Sequence, residues 1–169
     1  MTAQFVTIEK ASPACLEEVL EILSQVNLPH DGVKEHYSGF LVARSGGGKI
    51  IGCVGLERHG ELGLLRSAAV LSEYQGQWIG NKLVRELLKR AINEGVAEVV
   101  LLTTTAKDYF QNKFGFKEAK RSGYETRLAD SPEWNLPRCS SAAFMTLRLK
   151  PDADSSGRGG KENETTHRE

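Results

Sequence analysis

The chain has 169 residues, 40% of them hydrophobic and 26% charged, with 22 basic and 22 acidic side chains that cancel to a formal charge of zero. Such a length suits one domain with a core of its own, and such a composition is that of an ordinary soluble globular protein. Neutrality argues against a general nucleic-acid binder, which needs an excess of Lys and Arg to displace counterions. Cys15, Cys53 and Cys139 are odd in number and far apart, which fits reduced thiols in the cytosol better than a disulfide framework. No spacing resembles a zinc site, and no metal is expected. No signal-peptide pattern opens the chain, and no apolar run is long enough to span a membrane, so the cytoplasm is the expected compartment.

In chain order, "FVTIE" (Phe5 to Glu9) alternates as a strand. "SPACLEEVLEILSQV" follows as a helix, with Ser12 as N-cap and Pro13 at its first position. Leu16, Val19, Leu20, Leu23 and Val26 make its apolar face. A polar segment holding His30 and His36 leads to "FLVAR" and "KIIGCVGLE", which flank "SGGG" as a hairpin. The turn "HGE" opens the strand "LGLLRSAAV". After a glycine-punctuated loop, "NKLVRELLKRAINEG" carries the stripe Leu83, Val84, Leu87, Leu88, Ala91 and Ile92, with Gly95 as its stop. "AEVVLLTT" reads as a strand buried on both faces. "TAKDYFQNKFGF" reads as a short helix, with Thr105 and Asp108 as a capping-box variant and Gly115 ending it. "AAFMTLRL" is a last strand.

These elements predict a mixed α/β sheet with helices on both faces, in which Leu62–Leu71 and Glu98–Thr103 are parallel neighbours joined by a right-handed crossover. The domain spans 1–150. Residues 151–169 hold one alanine as their only hydrophobic residue and read as a disordered tail.

The loop "YQGQWIGNK" sits between a strand and a helix, where the first helical N–H groups lack partners and suit a pyrophosphate. It has neither the three glycines of a dinucleotide fingerprint nor the Gly-Lys-Ser/Thr of a P-loop. Ala69-Val70 followed by Gln75-Gly76-Gln77-Trp78-Ile79-Gly80 resembles the hallmark Gln/Arg-x-x-Gly-x-Gly/Ala of the GNAT superfamily of acetyl-CoA-dependent N-acetyltransferases. "VVLLTTTAKDYFQNKFGF" is similar to that family's later strand, short helix and Gly-Phe ending. The nearer likeness is to arsenic-resistance-associated N-acetyltransferases and to the acetyltransferase domain of N-acetylglutamate synthase, best over residues 62–116. Two departures stand out: Trp78 in place of the usual second motif glycine, and one extra residue between Phe110 and Gly115. Trp78 either takes φ > 0, at a cost of about 1 kcal/mol or more, or lies in the first helical turn at little cost.

The resemblance implies a mainly antiparallel sheet with one splayed parallel pair, and acetyl-CoA as co-substrate. It implies direct attack of an amine on the thioester in a ternary complex, with no cysteine nucleophile. It assigns the Val70 N–H to the acyl carbonyl or pantetheine, and the loop from Gln75 to Gly80 to the pyrophosphate. Tyr109 is the candidate for protonating the thiolate, the alternative being a core aromatic. Glu57 and Glu61, flanking a turn, either relay a proton from the amine or are merely solvated. Arg66 interrupts an apolar strand; it either grips an acceptor carboxylate bidentately, which suits an amino-acid-like substrate, or pairs with a glutamate at the sheet's end. His30, His36 and His59 read as surface residues. The expected partner is a small-molecule amine, with no nucleic acid and no membrane, and a homodimer is allowed. The competing reading is a degenerate GNAT fold that binds acyl-CoA, or only a protein partner, without turnover.

Overall fold

The computed structural model describes residues 5–149, so the expected tail lies outside the described residues. Among them, strands β1 (Thr7–Lys10), β2 (Phe40–Arg44), β3 (Ile50–His59), β4 (Leu62–Val70), β5 (Glu98–Thr103), β6 (Lys117–Glu118) and β7 (Ala143–Arg148) form one sheet. Its order is β1-β2-β3-β4-β5-β7-β6. β4 and β5 run parallel, and the other neighbours are antiparallel. This is the expected mixed sheet with one parallel pair, and the two-residue edge strand β6 is its unanticipated member.

The helices are α1 (Leu16–Gln25), α2 (Ile79–Asn93) and α3 (Lys107–Phe114). Pro13–Cys15 form a single 3-10 turn ahead of α1, and the Ser12 side chain makes no cap there. α1 ends on Asn27 at φ +59, with Leu28 N–H donating to Leu23 O and Asn27 N–H to Ser24 O. α2 ends the same way on Gly95, through Val96 N–H to Ala91 O and Gly95 N–H to Ile92 O. Both are Schellman motifs, which satisfy carbonyls the helix leaves unpaired. The cap of α3 differs from expectation. Ala106 stands at its N-cap, and the side chain that closes the turn is Thr103, whose Oγ1 accepts from Ala106 N–H at 2.9 Å. Ile92 also departs from the expected stripe of α2, at 45% exposed. Ile79 takes a place on that stripe instead.

The main core gathers α1, α2 and Phe110 of α3 with the centre of the sheet. A second cluster of Leu62, Leu64, Val100, Leu128 and Phe144 is closed by Ala119, Tyr124 and Trp134. The segment between β6 and β7 is therefore a cover on the sheet. Phe40 and Gly55 face each other across β2 and β3, and a Cβ on Gly55 would lie 2.4 Å from the Phe40 ring. The bare glycine is the seat of a fully buried aromatic. Gly55→Ala is expected to destabilise the fold by about 1–3 kcal/mol through overpacking, seen as a lower urea midpoint with an unchanged slope.

Candidate active site

β4 and β5 are hydrogen-bonded only from Leu62/Glu98 to Leu65/Leu101. Just beyond, the register between β3 and β4 slips: Gly55 pairs with Arg66, but Cys53 pairs with Ala69. β4 holds one extra residue there, and Ser67 takes φ +57. Such a bulge bends its strand and ends local pairing. The last residues of β4 therefore leave β5, and a wedge opens between the two strands. One pocket of about 400 Å³ lies in the wedge, touched by Ser67, Ala68, Thr103, Thr104 and Phe110. A second, of about 350 Å³, lies at the start of α2, touched by Val70, Gln75, Gly76, Trp78 and Tyr109.

The second pocket collects most of the loop residues singled out in the sequence. Gln75 Nε2 donates to Val70 O at 3.0 Å, which ties the loop back to the end of β4. Gly76 has φ +82 and Trp78 φ +67, so the tryptophan adopts the left-handed conformation, the costlier of its two alternatives. Trp78 is the N-cap of α2, and its carbonyl accepts the helix's first bond from Lys82 N–H. No side chain caps the helix, which leaves its first N–H groups available. The indole is 63% exposed and lies under Lys113 Nζ, 5.0 Å from the ring centre, so it does not fill the helix terminus.

Tyr109 bridges the two helices that bound this pocket. Its hydroxyl donates to Asn81 Oδ1 of α2, and its ring packs edge-on against Phe110 and Phe114. A Cβ on Gly80 would come within 3.5 Å of that hydroxyl, so the glycine gives the phenol its room. Burial pushes the Tyr109 pKa up, against a smaller opposing pull from Arg85. The phenol keeps its proton at neutral pH.

Arg66 and Glu57 prove to be partners. Arg66 Nη1 meets Glu57 Oε2 at 2.7 Å, Nε donates to Ser67 Oγ at 3.0 Å, and Nη2 donates to Pro29 O at 3.3 Å. Arg66 is only 2% exposed, and each guanidinium nitrogen has a protein acceptor. The ion pair is the second of the two alternatives held for this residue, with its glutamate two residues from the end of β3. Glu57 is not a turn carboxylate: it is fully buried in β3, while Glu61 lies exposed in the turn. Glu57 Oε1 also accepts from Ser131 Oγ at 2.6 Å and contacts His59 Nε2 at 3.1 Å, with His36 Nε2 3.9 Å away. His36 and His59 are thus half-buried members of this cluster, whereas His30 is exposed.

Sequence reasoning passed over Ser131 and Glu133, which lie in a segment with no strand or helix periodicity. Glu133 borders the wedge pocket, is 7% exposed, and its Oε2 has no hydrogen-bond partner. An unmet buried polar group costs about 1–3 kcal/mol. Burial pushes the Glu133 carboxyl up to about 7, with Arg66 pulling it down and Glu57 pushing it up. Cys139 borders the same pocket.

Two substitutions test these placements. Trp78→Gly relieves a left-handed strain of about 1–2 kcal/mol and loses a cation–π contact of about 0.5–1 kcal/mol. A small rise in stability is expected in urea denaturation. Arg66→Ala leaves Glu57 buried without its counter-ion, and a loss of about 3–5 kcal/mol is expected by the same measurement.

Residues 36–118 match the family model described as an acetyltransferase (GNAT) domain. Over 99 residues, 58% of the chain, it is 31% identical to an uncharacterized N-acetyltransferase of Chlorobaculum tepidum. Over 153 residues, 83% of the chain, it is 29% identical to N-acetyltransferase family 8 member 3 of Rattus norvegicus. It spans 62% and 64% of the lengths of these two relatives. Its fold is similar to that of N-acetylglutamate synthase from Neisseria gonorrhoeae, crystallised with coenzyme A and L-arginine. The TM-score is 0.73 at 22% identity, over 88% of this chain and 34% of the synthase. A second structure of that synthase holds coenzyme A and N-acetyl-glutamate, with a TM-score of 0.72 at 20% identity over 89% of this chain and 36% of the synthase. Matched in sequence and carrying the mixed sheet with its single parallel pair, this chain has an acetyltransferase domain of the GNAT family.

Proposed function

We infer that the chain transfers the acetyl group of acetyl-CoA to the amine of a small, amino-acid-like acceptor, by direct attack within a ternary complex. The observation that carries this reading is the wedge between β4 and β5, with an uncapped helix N-terminus at one pocket and a carboxylate-bearing pocket of about 400 Å³ beside it. The pyrophosphate lies against the backbone N–H groups from Gln75 to Gly80, where the positive end of the α2 dipole favours an anion. Left-handed residues at Gly76 and Trp78 favour the concave run of N–H groups that holds anions.

The acyl carbonyl lies near Val70, whose N–H stabilises the negative charge that develops on oxygen during attack. Tyr109, held on Asn81 and protonated at neutral pH, gives its proton to the departing thiolate. Arg66, which touches the acceptor pocket, and Glu57 behind it hold the pocket's wall in place. The pocket's size suits a small acceptor, and the amino-acid-like class is supported by the fold neighbour crystallised with N-acetyl-glutamate.

Calorimetry with acetyl-CoA tests the binding half. Heat is expected for the wild type, weaker binding for Gly76→Asp, which sets a negative side chain beside the pyrophosphate, and unchanged or modestly tighter binding for Trp78→Gly. A folded sample that binds neither acetyl-CoA nor CoA would overturn the reading. Screening amino acids and related amines for CoA release tests the transfer half. With an acceptor in hand, Tyr109→Phe is expected to lower kcat by roughly 10²-fold with little change in KM for acetyl-CoA. Binding without CoA release across the screen would favour a domain that holds acyl-CoA without turnover.

A further inference from the structure

The reaction inferred above needs a group that strips a proton from the acceptor, because an ammonium nitrogen has no lone pair with which to attack. Tyr109 lies at the other pocket and keeps its proton. Glu57 already meets Arg66, Ser131 and His59 and is fully buried. Glu133 differs from both. It comes from the cover segment outside the stretch matched by the family model, and it borders the wedge pocket. It is more than nine-tenths buried, yet one of its oxygens lacks a donor. The nearby cation, Arg66, directs its nitrogens to Glu57, Ser67 and Pro29. A buried acceptor left unmet calls for an explanation, and a carboxylate can only accept. The pocket around it offers hydroxyls at Ser67, Thr103 and Thr104 and apolar surface at Leu102 and Phe110.

We propose that Glu133 receives the acceptor's ammonium group in the wedge pocket and takes one of its protons, serving as the base of the transfer. The inference rests on the acetyl-transfer reading. One proton passes from nitrogen to the Glu133 carboxylate, which frees the lone pair. The nitrogen then bonds to the thioester carbon while the carbon–sulfur bond breaks. The amine's second proton leaves as the amide forms, balancing the proton that Tyr109 hands to sulfur. Glu133 returns its proton to water, and the products are the acetamide, CoA thiol and one proton.

The charge state of Glu133 is set by groups from several elements. Burial pushes it up to about 7; Arg66 from β4 opposes this, and Glu57 from β3 adds to it. Cys139 borders the same pocket, His36 and His59 approach Glu57, and Arg121 lies over the neighbouring Trp134 ring. The carboxylate therefore grows in between pH 6 and 8, while a simple alkylamine stays cationic across that range.

The test uses n-propylammonium as probe, with the full chain saturated with CoA, followed by ligand-observed NMR. Between pH 6 and pH 8 the wild type's affinity is expected to rise about tenfold, in proportion to the ionised fraction of a group titrating near 7. Glu133→Gln keeps the side chain's shape and is expected to lose both the tighter binding and the pH dependence. With an acceptor found by the amine screen, the same variant is expected to lose the acidic limb of kcat/KM.

Equal affinity of wild type and variant for the probe, or a flat wild-type profile from pH 6 to 8, would overturn the proposal. If Glu133→Gln fails to fold, the wild-type profile alone decides. CoA binding, measured separately on both proteins, is expected to be equal. Its absence from both would instead sink the acetyl-transfer reading and with it the base role, while probe titration without CoA would still decide whether Glu133 receives an ammonium group.

Discussion

The parting of β4 from β5 is the constraint on which the site depends. Two parallel strands with apolar side chains would ordinarily stay hydrogen-bonded to their ends, because unpaired backbone groups are costly when buried. Here one extra residue in β4 puts its pleat out of step with β3 at Ser67, and pairing with β5 ends just before it, at Leu65. The freed backbone lies where a ligand can supply the missing partners. The parallel pairing from Leu62 to Leu65 fixes the narrow end of the wedge. α2, which leaves its mouth, is anchored by Leu83, Leu87 and Ala91 in the main core. The opening is therefore set by the sheet's pairing and the packing of α2.

Beside the wedge lies a second organising contact, the ion pair of Arg66 and Glu57. Burying both charges is expensive, and such a pair adds little net stability over an apolar replacement. What it does is connect. Arg66 reaches Pro29 in the segment after α1, and Glu57 reaches Ser131 in the cover over the sheet. Two stretches far apart in the chain are thereby set against the same strands. Gly32 fits the same junction: a Cβ there would stand 2.7 Å from Pro132 and 3.0 Å from Arg66 Nη1. The wall of the wedge pocket is built by polar geometry, which is more directional than apolar packing.

Much of this was legible in the sequence, and the failures have physical causes. Strand alternation, the amphipathic stripe of α2 and the stops at Gly95 and Gly115 gave the sheet and the helix ends directly. The partnership of Arg66 with Glu57 was also there to be read. A two-residue turn at Gly60 and Glu61 sets His59 against Leu62, and counting back puts Glu57 opposite Leu64 and Gly55 opposite Arg66, all on one face. Reading the turn as longer hid that register. The bulge at Ser67 could not be seen, because a left-handed serine in an apolar strand has no local signature. Trp78 shows the converse: the family position asks for a glycine-like conformation, and the structure keeps it with an indole turned outward. Residues 119–142 are held by contacts with the sheet and carry no periodic pattern, so Ser131 and Glu133 could be placed only once the sheet existed.

The chain has two tryptophans, Trp78 and Trp134. One sits exposed at the start of α2, beneath the Lys113 ammonium. The other packs edge-on against Phe144, one residue after Glu133. Each indole has a cation over its ring, Lys113 at Trp78 and Arg121 at Trp134, but Trp78 stands in water at the helix-terminus pocket and Trp134 is half-buried under the cover. A ligand that seats at the start of α2 would therefore change the surroundings of one indole and leave the other's as they are, so the unlabelled protein carries its own optical reporter with a built-in reference.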